Sequence, residues 1–316
     1  MLPPSTQRSK PPNGLAASPN APNPGRSGTR KDRVVSRSLH ELLTLLDLET
    51  LDVDLFRGRS PATSRQRVFG GQVAGQALVA AGRTVDEARL VHSLHAYFVR
   101  PGDPATSIIY AVERIRDGRS YSIRRVVARQ HGKTIFHMSA SFQVAEPGLD
   151  HQEPMPDVPP PEGLPTPKML AEQQSDAPEV TTAWDEWEAI DLRVIESGAT
   201  VDGRQRVWLR IAEPMPSDPL LHVCVLAYAS DLTLLSAVLA PHGLSYETEG
   251  LQMASLDHAM WFHRPCRADE WLLYDQVSPS TSGGRGLASG RIFTRDGRLV
   301  ASVMQEGQFR LHPVKP

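Results

Sequence analysis

The chain of 316 residues is poor in cysteine, with Cys224 and Cys266 alone. Two cysteines cannot build the disulfide framework of a small secreted domain, and they lack the spacing of a structural zinc site. The chain also lacks a charge excess, since 34 Lys+Arg against 36 Asp+Glu leave a formal net charge of -2. Because no cationic field is present to hold a polyanion, nucleic acid is excluded as the expected partner.

Long apolar runs are missing as well. No stretch reaches the roughly 18 consecutive apolar residues needed to cross a bilayer, and the amino terminus has no apolar core of a secretory signal. Residues 1–34 are instead rich in Pro, Ser, Asn and Gly. We therefore expect a cytoplasmic protein without a membrane span, preceded by a disordered Pro-rich tail.

Several common catalytic motifs are absent from the sequence. It has no G-x-S-x-G nucleophile elbow, no Walker loop, no H-E-x-x-H zinc motif and no Rossmann glycine fingerprint. A covalent route through a Ser-His-Asp triad therefore has no support. Strand alternation places Ser255 and Asp257 on one face and His258 on the other, which argues against a catalytic role for His258.

The chain contains two similar halves. In each half, a helix rich in small and apolar residues precedes an extended run that ends in Arg-Pro. Turns follow at matching distances, and one alternating strand closes each half. The pattern predicts helices at 70–83 and 222–239, and closing strands at 134–144 and 299–309.

This repeat predicts the architecture of the chain. One apolar helix followed by a meander of antiparallel strands, present twice, indicates two helix-wrapped sheets that pair with each other. A Pro-rich stretch between 154 and 167 is incompatible with a helix or a central strand and marks a linker. The predicted boundaries are a tail at 1–34, a first domain at 35–145, a linker at 146–200 and a second domain at 201–316.

Polar residues of the second half stand out against the core pattern. Asp231 precedes a run of leucines and is a candidate catalytic carboxylate. Alternatively, Ser230 or Asp231 caps a helix that begins there. Ser255 and Gln305 align with Val91 and Ala140 of the first half, which are apolar. Ordinary drift explains this difference, and so does a duplication in which one copy keeps the chemistry.

Two glycine-rich stretches each allow two interpretations. Gly70, Gly71 and Gln72 open the first helix, where free backbone N–H groups can bind a developing oxyanion. Close packing of the helix explains these glycines equally well. The stretch Ser-Gly-Gly-Arg-Gly at 282–286 favours a turn or bulge over a phosphate cradle.

Five motifs stand out along the chain: VFGGQVAGQAL at 68–78, VHSLHAYF at 91–98, YASDL at 228–232, SLDHAMWFH at 255–263 and VMQEG at 303–307. With these motifs the chain resembles the acyl-CoA thioesterase II family, the TesB-type enzymes. The resemblance covers about residues 36–313. The family implies an α+β double hot-dog fold, in which two tandem helix-wrapped antiparallel sheets pack into one continuous sheet. It also implies an acyl-CoA substrate and is compatible with a homo-oligomer of double hot-dog units.

The resemblance assigns the catalytic residues by motif. In the family they are an Asp in the second-half helix, a Thr or Ser before the Asp-His-x-Met-Trp-Phe-His strand, and a Gln in the final strand. These positions are Asp231, Ser255 and Gln305 here. The implied mechanism is direct attack of a water that all three side chains orient, with Asp231 taking its proton and no metal or redox cofactor.

Two other functions stay open at this point. A hot-dog hydratase would act on an acyl thioester without cleaving it, and a binding or regulatory module would hold acyl-CoA without turnover. Five arginines between 114 and 125 could meet the phosphates of coenzyme A. A solvated strand face is the more ordinary interpretation of such a cluster.

Overall fold

The structure of the protein is a computed structural model that describes residues 38–61, 63, 65–174, 187–195 and 204–313. The tail predicted at 1–34 lies outside the described residues. Within the described ranges, no helix combines the length and the apolar composition that a membrane span requires.

The secondary structure follows the predicted repeat. The helices are α1 (Leu39–Leu46), α2 (Gly70–Gly82), α3 (Pro167–Gln174), α4 (Pro219–Ser230) and α5 (Ser236–Leu239). First-half strands are β1 (Glu49–Asp52), β2 (Leu55–Gly58), β3 (Arg89–Phe98), β4 (Ile108–Asp117), β5 (Tyr121–Gln130) and β6 (Lys133–Val144). Those of the second half are β7 (Ile190–Ile195), β8 (Arg204–Ile211), β9 (Leu251–Ser255), β10 (Asp257–Phe262), β11 (Leu272–Ser282), β12 (Arg285–Thr294) and β13 (Leu299–Leu311).

The described strands form one antiparallel sheet. Its order is β1-β2-β4-β5-β6-β3-β10-β13-β12-β11-β8-β7, and β9 pairs with β13. This order is symmetric about the junction of β3 and β10, which pair from Tyr97–Asp257 to Ser93–Trp261. Each strand of the first half therefore has a counterpart in the second. The continuous sheet and its two long apolar helices confirm the predicted α+β double hot-dog fold.

Close contact between α2 and α4 joins the two halves inside one hydrophobic core. Glycine makes this contact possible, because a Cβ at Gly71 would lie 2.3 Å from the carbonyl oxygen of Tyr228. A Cβ at Gly75, one turn later, would lie 3.2 Å from the carbonyl oxygen of Cys224. The glycines of α2 thus serve helix packing, one of the two interpretations that the sequence allowed.

The second apolar helix differs from its prediction at 222–239. It starts at Pro219, ends at Ser230, and Asp231 is its C-cap residue. Turns occupy 231–235 before α5 begins. The Ser230 hydroxyl donates to the carbonyl oxygen of Ala227, and the Thr233 hydroxyl accepts from Gln276 of the sheet. Such side-chain hydrogen bonds compete with the backbone hydrogen bonds of a continuous helix. The break leaves Asp231 at a helix end rather than inside one.

The linker predicted at 146–200 extends too far. Residues 146–166 have no helix or strand, and they cover a small hydrophobic cluster of Trp208, Leu273 and Phe293. The Nε1–H of Trp208 also donates to the carbonyl oxygen of Pro159 at 2.9 Å. However, β7 pairs with β8 and belongs to the sheet. The second half therefore begins before residue 201, because the prolines that forbid strand pairing end well before β7.

Candidate active site

Three elements of the second half bring together the side chains of Asp231, Ser255 and Gln305. Asp231 follows α4, Ser255 ends β9, and Gln305 lies in β13. The Nε2 of Gln305 donates to Asp231 Oδ1 at 2.6 Å and to Ser255 Oγ at 3.0 Å. Both N–H groups of one amide are therefore used to join the carboxylate to the hydroxyl.

The first half supplies a further donor to this cluster. The backbone N–H of Gly71, in the first turn of α2, donates to Asp231 Oδ2 at 2.8 Å. Phe69 is the N-cap residue of α2 and offers no side-chain hydrogen bond, so Asp231 satisfies a helix N–H that has no local acceptor. The carboxylate consequently faces the positive end of the α2 dipole.

The surroundings of Asp231 change its acidity. Burial raises the pKa of Asp231 to about 6, although the hydrogen bonds from Gln305 and Gly71 act in the opposite direction. Gln305 is fully buried, whereas Asp231 and Ser255 keep part of their surface exposed. A reactant can therefore approach a carboxylate that is ionised at neutral pH and still basic enough to accept a proton.

The local-cap interpretation of Asp231 is wrong. No helix begins at this residue, since α5 starts at Ser236 and its N-cap residue Leu235 makes no side-chain hydrogen bond. The donors to the Asp231 carboxylate come from α2 and β13, which are remote in the sequence. Its polar environment is thus a product of tertiary structure, as expected of a site residue.

The predicted faces of Ser255 and His258 need correction. Ser255 lies opposite Gly307 of β13, but Ala259 lies opposite Met304, so the register shifts by one residue between them. Such a bulge reverses the alternation of side chains. Ser255 reaches Gln305, and His258 reaches Ser230 of α4 at 2.9 Å. Both side chains therefore face the helices, and sequence alternation missed His258 because it cannot detect a bulge.

The predicted oxyanion residues at the start of α2 separate into two groups. Gly70 and Gly71 lie against the carboxylate, and a Cβ at Gly70 would lie 2.7 Å from Asp231 Oδ2. Gln72 is buried and points elsewhere, because its Nε2 donates to the carbonyl oxygen of Arg59 and to Ser60 Oγ at 3.3 Å. Its side chain is therefore outside the cluster.

A buried arginine fills the equivalent position of the first half. Arg124 lies opposite Ala140 in the β5–β6 ladder. In the matching β12–β13 ladder, Ala288 lies opposite Gln305. Arg124 is 1% exposed and donates to Thr84 Oγ1 at 2.8 Å, at the end of α2. The two halves thus place their long polar side chain on different strands. In the first half the guanidinium of Arg124 also pairs with Asp117 Oδ1, at 2.7 Å.

The two helix starts also differ. Asp218 caps α4 within its own chain segment, because its Oδ1 accepts from the Leu220 N–H at 2.9 Å. The start of α2 has no such local cap and receives Asp231 instead. The asymmetry of the repeat is therefore structural as well as chemical.

Other stretches that the sequence singled out have structural roles. Gly283 and Gly284 have positive φ angles and form the tight turn between β11 and β12. Arg114 forms an ion pair with Asp54. One of the five arginines between 114 and 125 therefore already has a carboxylate partner within the protein. Within the described part of the chain, no three His, Cys, Asp or Glu side chains are grouped as metal ligands.

The chain is similar to known proteins along most of its length. The family described as acyl-CoA thioesterase matches residues 181–308, and the acyl-CoA thioesterase N-terminal domain family matches residues 59–143. Acyl-coenzyme A thioesterase 8 of Homo sapiens is 42% identical, and the similarity covers 94% of this chain and 98% of that protein. Acyl-CoA thioesterase 2 of Haemophilus influenzae is 40% identical, covering 87% of this chain and 99% of that protein.

A solved structure is similar as well. The crystal structure of acyl-CoA thioesterase II TesB2 from Mycobacterium marinum shares 50% identity with this chain and has a TM-score of 0.73. The similarity covers 85% of this chain and 98% of that one.

Proposed function

Since this chain belongs to the acyl-CoA thioesterase family and is a thioester hydrolase, we propose that Asp231, Ser255 and Gln305 carry the reaction. The substrate is a fatty acyl-CoA, and the products are the free fatty acid and coenzyme A. The observation that supports this assignment most strongly is the single amide of Gln305 that bridges Asp231 and Ser255.

In the proposed reaction, a water held by Asp231 and Ser255 attacks the carbonyl carbon of the thioester. Asp231 takes one proton from that water as the new C–O bond forms, and the carbonyl oxygen becomes an oxyanion. The C–S bond then breaks, and the leaving thiolate receives the proton from Asp231. The step needs no covalent acyl-enzyme intermediate.

The remaining groups position and stabilise the reactants. Gln305 holds the carboxylate and the hydroxyl in one arrangement, which fixes where the water binds. The N–H groups of Gly70 and Gly71 lie at the positive end of α2, where a developing oxyanion would be stabilised. Gly71 donates to Asp231 in the free enzyme, so its contact with the oxyanion would form as the carboxylate is protonated.

Thiol release from a panel of acyl-CoA substrates tests the proposal. We expect free coenzyme A and fatty acid to appear in equal amounts, at an unchanged rate when a chelator is added. Binding without thiol release for any chain length would support an acyl-CoA binding module instead. A change in the acyl chain that leaves the thioester intact would support a hydratase.

The location and assembly of the enzyme are part of the same proposal. We expect a cytoplasmic enzyme that assembles double hot-dog units into a homo-oligomer. Cell fractionation and light scattering of the purified full chain measure the two properties directly. Recovery in an organelle fraction, or a monomeric mass at all protein concentrations, would contradict them.

A further inference from the structure

A buried histidine lies behind the Asp231, Ser255 and Gln305 cluster. His258, in β10, is 1% exposed, and its Nε2 lies 2.9 Å from Ser230 Oγ. Ser230 is the last residue of α4 and directly precedes Asp231. Burial lowers the pKa of His258 to about 4, so the ring is neutral at neutral pH.

Gln305 lies opposite residues 257 and 258 in the β10–β13 ladder, since Ala259 lies opposite Met304 and the Leu256 N–H donates to the Glu306 carbonyl oxygen. Two buried polar atoms on these neighbouring side chains have no hydrogen-bond partner within the described residues. They are Nδ1 of His258 and Oε1 of Gln305. Gln305 also acts on His258 and raises its pKa, as an amide oxygen beside a ring N–H does. Because a buried polar atom without a partner is costly, a ring N–H directed at this oxygen would satisfy both residues at once.

The neighbours of Gln305 determine which way its amide points. An ionised Asp231 can only accept hydrogen bonds, so it requires the NH₂ group of Gln305 on its side. The amide oxygen must then face His258, and it needs a donor there. A neutral imidazole provides that donor when Nδ1 carries the proton, and Nε2 is then free to accept from Ser230.

Ser230 can supply the hydrogen bond that this tautomer requires. Its hydroxyl lies 2.9 Å from the Ala227 carbonyl oxygen and 2.9 Å from His258 Nε2. A rotation of the O–H bond directs the proton to the ring and needs no movement of the heavy atoms. Each group in this series then donates to the next. Ser230 donates to His258, His258 to Gln305, and Gln305 to Asp231.

We propose that His258, held by Ser230, is a positioning residue that donates from Nδ1 to Gln305 Oε1 and keeps the Gln305 NH₂ group directed at Asp231 and Ser255. This inference rests on the proposed catalytic roles of Asp231, Ser255 and Gln305. Without the histidine, the Gln305 amide can reverse, and its oxygen then faces the Asp231 carboxylate. That arrangement favours the protonated form of Asp231, which cannot act as a base.

A matched set of substitutions separates positioning from packing. In His258→Asn, the amide nitrogen takes the place of Nδ1 and keeps the donor to Gln305. In His258→Gln, the polar group takes the place of Nε2 and the donor to Gln305 is lost. His258→Leu removes the polar atoms at both the Nδ1 and the Nε2 position. We expect kcat to fall only a few-fold for Asn and about 10-fold to 100-fold for Gln and Leu. A packing role would instead make kcat follow the melting temperature of the three variants, with no advantage for Asn.

The pH profile supplies a second readout that packing does not move. We expect the acidic limb of kcat/KM to shift to higher pH in His258→Gln and His258→Leu, since a reversed Gln305 amide favours protonated Asp231. The phenols of Tyr246 and Tyr274 also lie near Asp231. Burial and the Asp231 charge raise their pKa values, so both phenols stay neutral and add no charge beside the carboxylate. Ser230→Ala, which removes only a hydroxyl, should shift the limb in the same direction and provides the test if the larger changes prevent folding.

The outcomes distinguish this inference from the proposed function. If Asp231→Asn is inactive while all three His258 variants and Ser230→Ala keep the wild-type kcat and acidic limb, the positioning role is overturned alone. If Asp231→Asn keeps wild-type turnover, the proposed catalytic set itself fails. The inference is supported if His258→Asn alone keeps most of the wild-type kcat and if the acidic limb of kcat/KM shifts to higher pH in His258→Gln and His258→Leu.

Discussion

The carboxylate of Asp231 accepts a hydrogen bond from the backbone N–H of Gly71, a residue 160 positions earlier in the chain, at 2.8 Å. This contact joins the end of one central helix to the start of the other. The candidate active site therefore belongs to both halves of the double hot-dog, although its three polar side chains all come from the second. Four experiments test the consequences.

Replacement of Asp231 by Asn should lower turnover by about 100-fold or more, because Asn keeps the shape of the side chain but cannot accept the proton. Ser255→Ala and Gln305→Ala leave the base in place, so each should lower kcat by a smaller factor. Steady-state thiol release measures all three. Because the proposed mechanism has all three side chains hold the same water, the double variants with Asp231→Asn should lose far less than the product of the single losses. Near wild-type turnover for Asp231→Asn would reject the assignment.

Asp231 should also make folding stability depend on pH. Its pKa is raised from 3.8 to about 6 in the folded protein, so the folded state holds the proton more tightly than the unfolded state. Stability from this group is present at low pH and is lost as pH rises through this window. The melting temperature of Asp231→Asn relative to wild type should therefore rise between about pH 4 and pH 6 and then level off. A difference that does not change with pH would show that the pKa of Asp231 is ordinary.

Gly71→Ala should destabilise the protein, because the added methyl group would lie 2.3 Å from the carbonyl oxygen of Tyr228 and would force α2 away from α4. The same displacement moves the Gly71 N–H away from Asp231, so kcat should fall as well. Thermal denaturation and thiol release measure the two effects. Gly148→Ala is the matched control, since no atom lies within 4 Å of a Cβ there. Equal melting temperatures for the two variants would contradict the close packing of the helices.

Arg124→Ala should lower stability by about 3 kcal/mol or more, since it removes a fully buried side chain together with the hydrogen bonds that the guanidinium donates. The loss involves Thr84 and Asp117, which both accept from the guanidinium. Because Arg124 occupies the first half, the acidic limb of kcat/KM should stay at the wild-type pH. Denaturant titration and a pH profile check both expectations. A shifted limb would show that the first-half position contributes to the chemistry.

The sequence alone determined the architecture and the candidate catalytic residues. Two apolar helices, each followed by alternating strands, leave few arrangements other than paired helix-wrapped sheets, because each apolar surface must be buried. Asp231, Ser255 and Gln305 were visible both as polar exceptions to the repeat and through the family motifs. Local patterns report burial and periodicity well, so these features could be predicted.

Tertiary structure decided how these residues meet. A one-residue bulge between Ser255 and Ala259 turned His258 toward the helices, a change that strand alternation cannot reveal. The break after Ser230 placed Asp231 at a helix end, where its partners are Gly71 and Gln305. Hydrogen-bond partners more than 70 residues apart depend on strand register and helix packing. A pattern within a few residues carries no information on either, so these contacts appear only once the two halves have folded together.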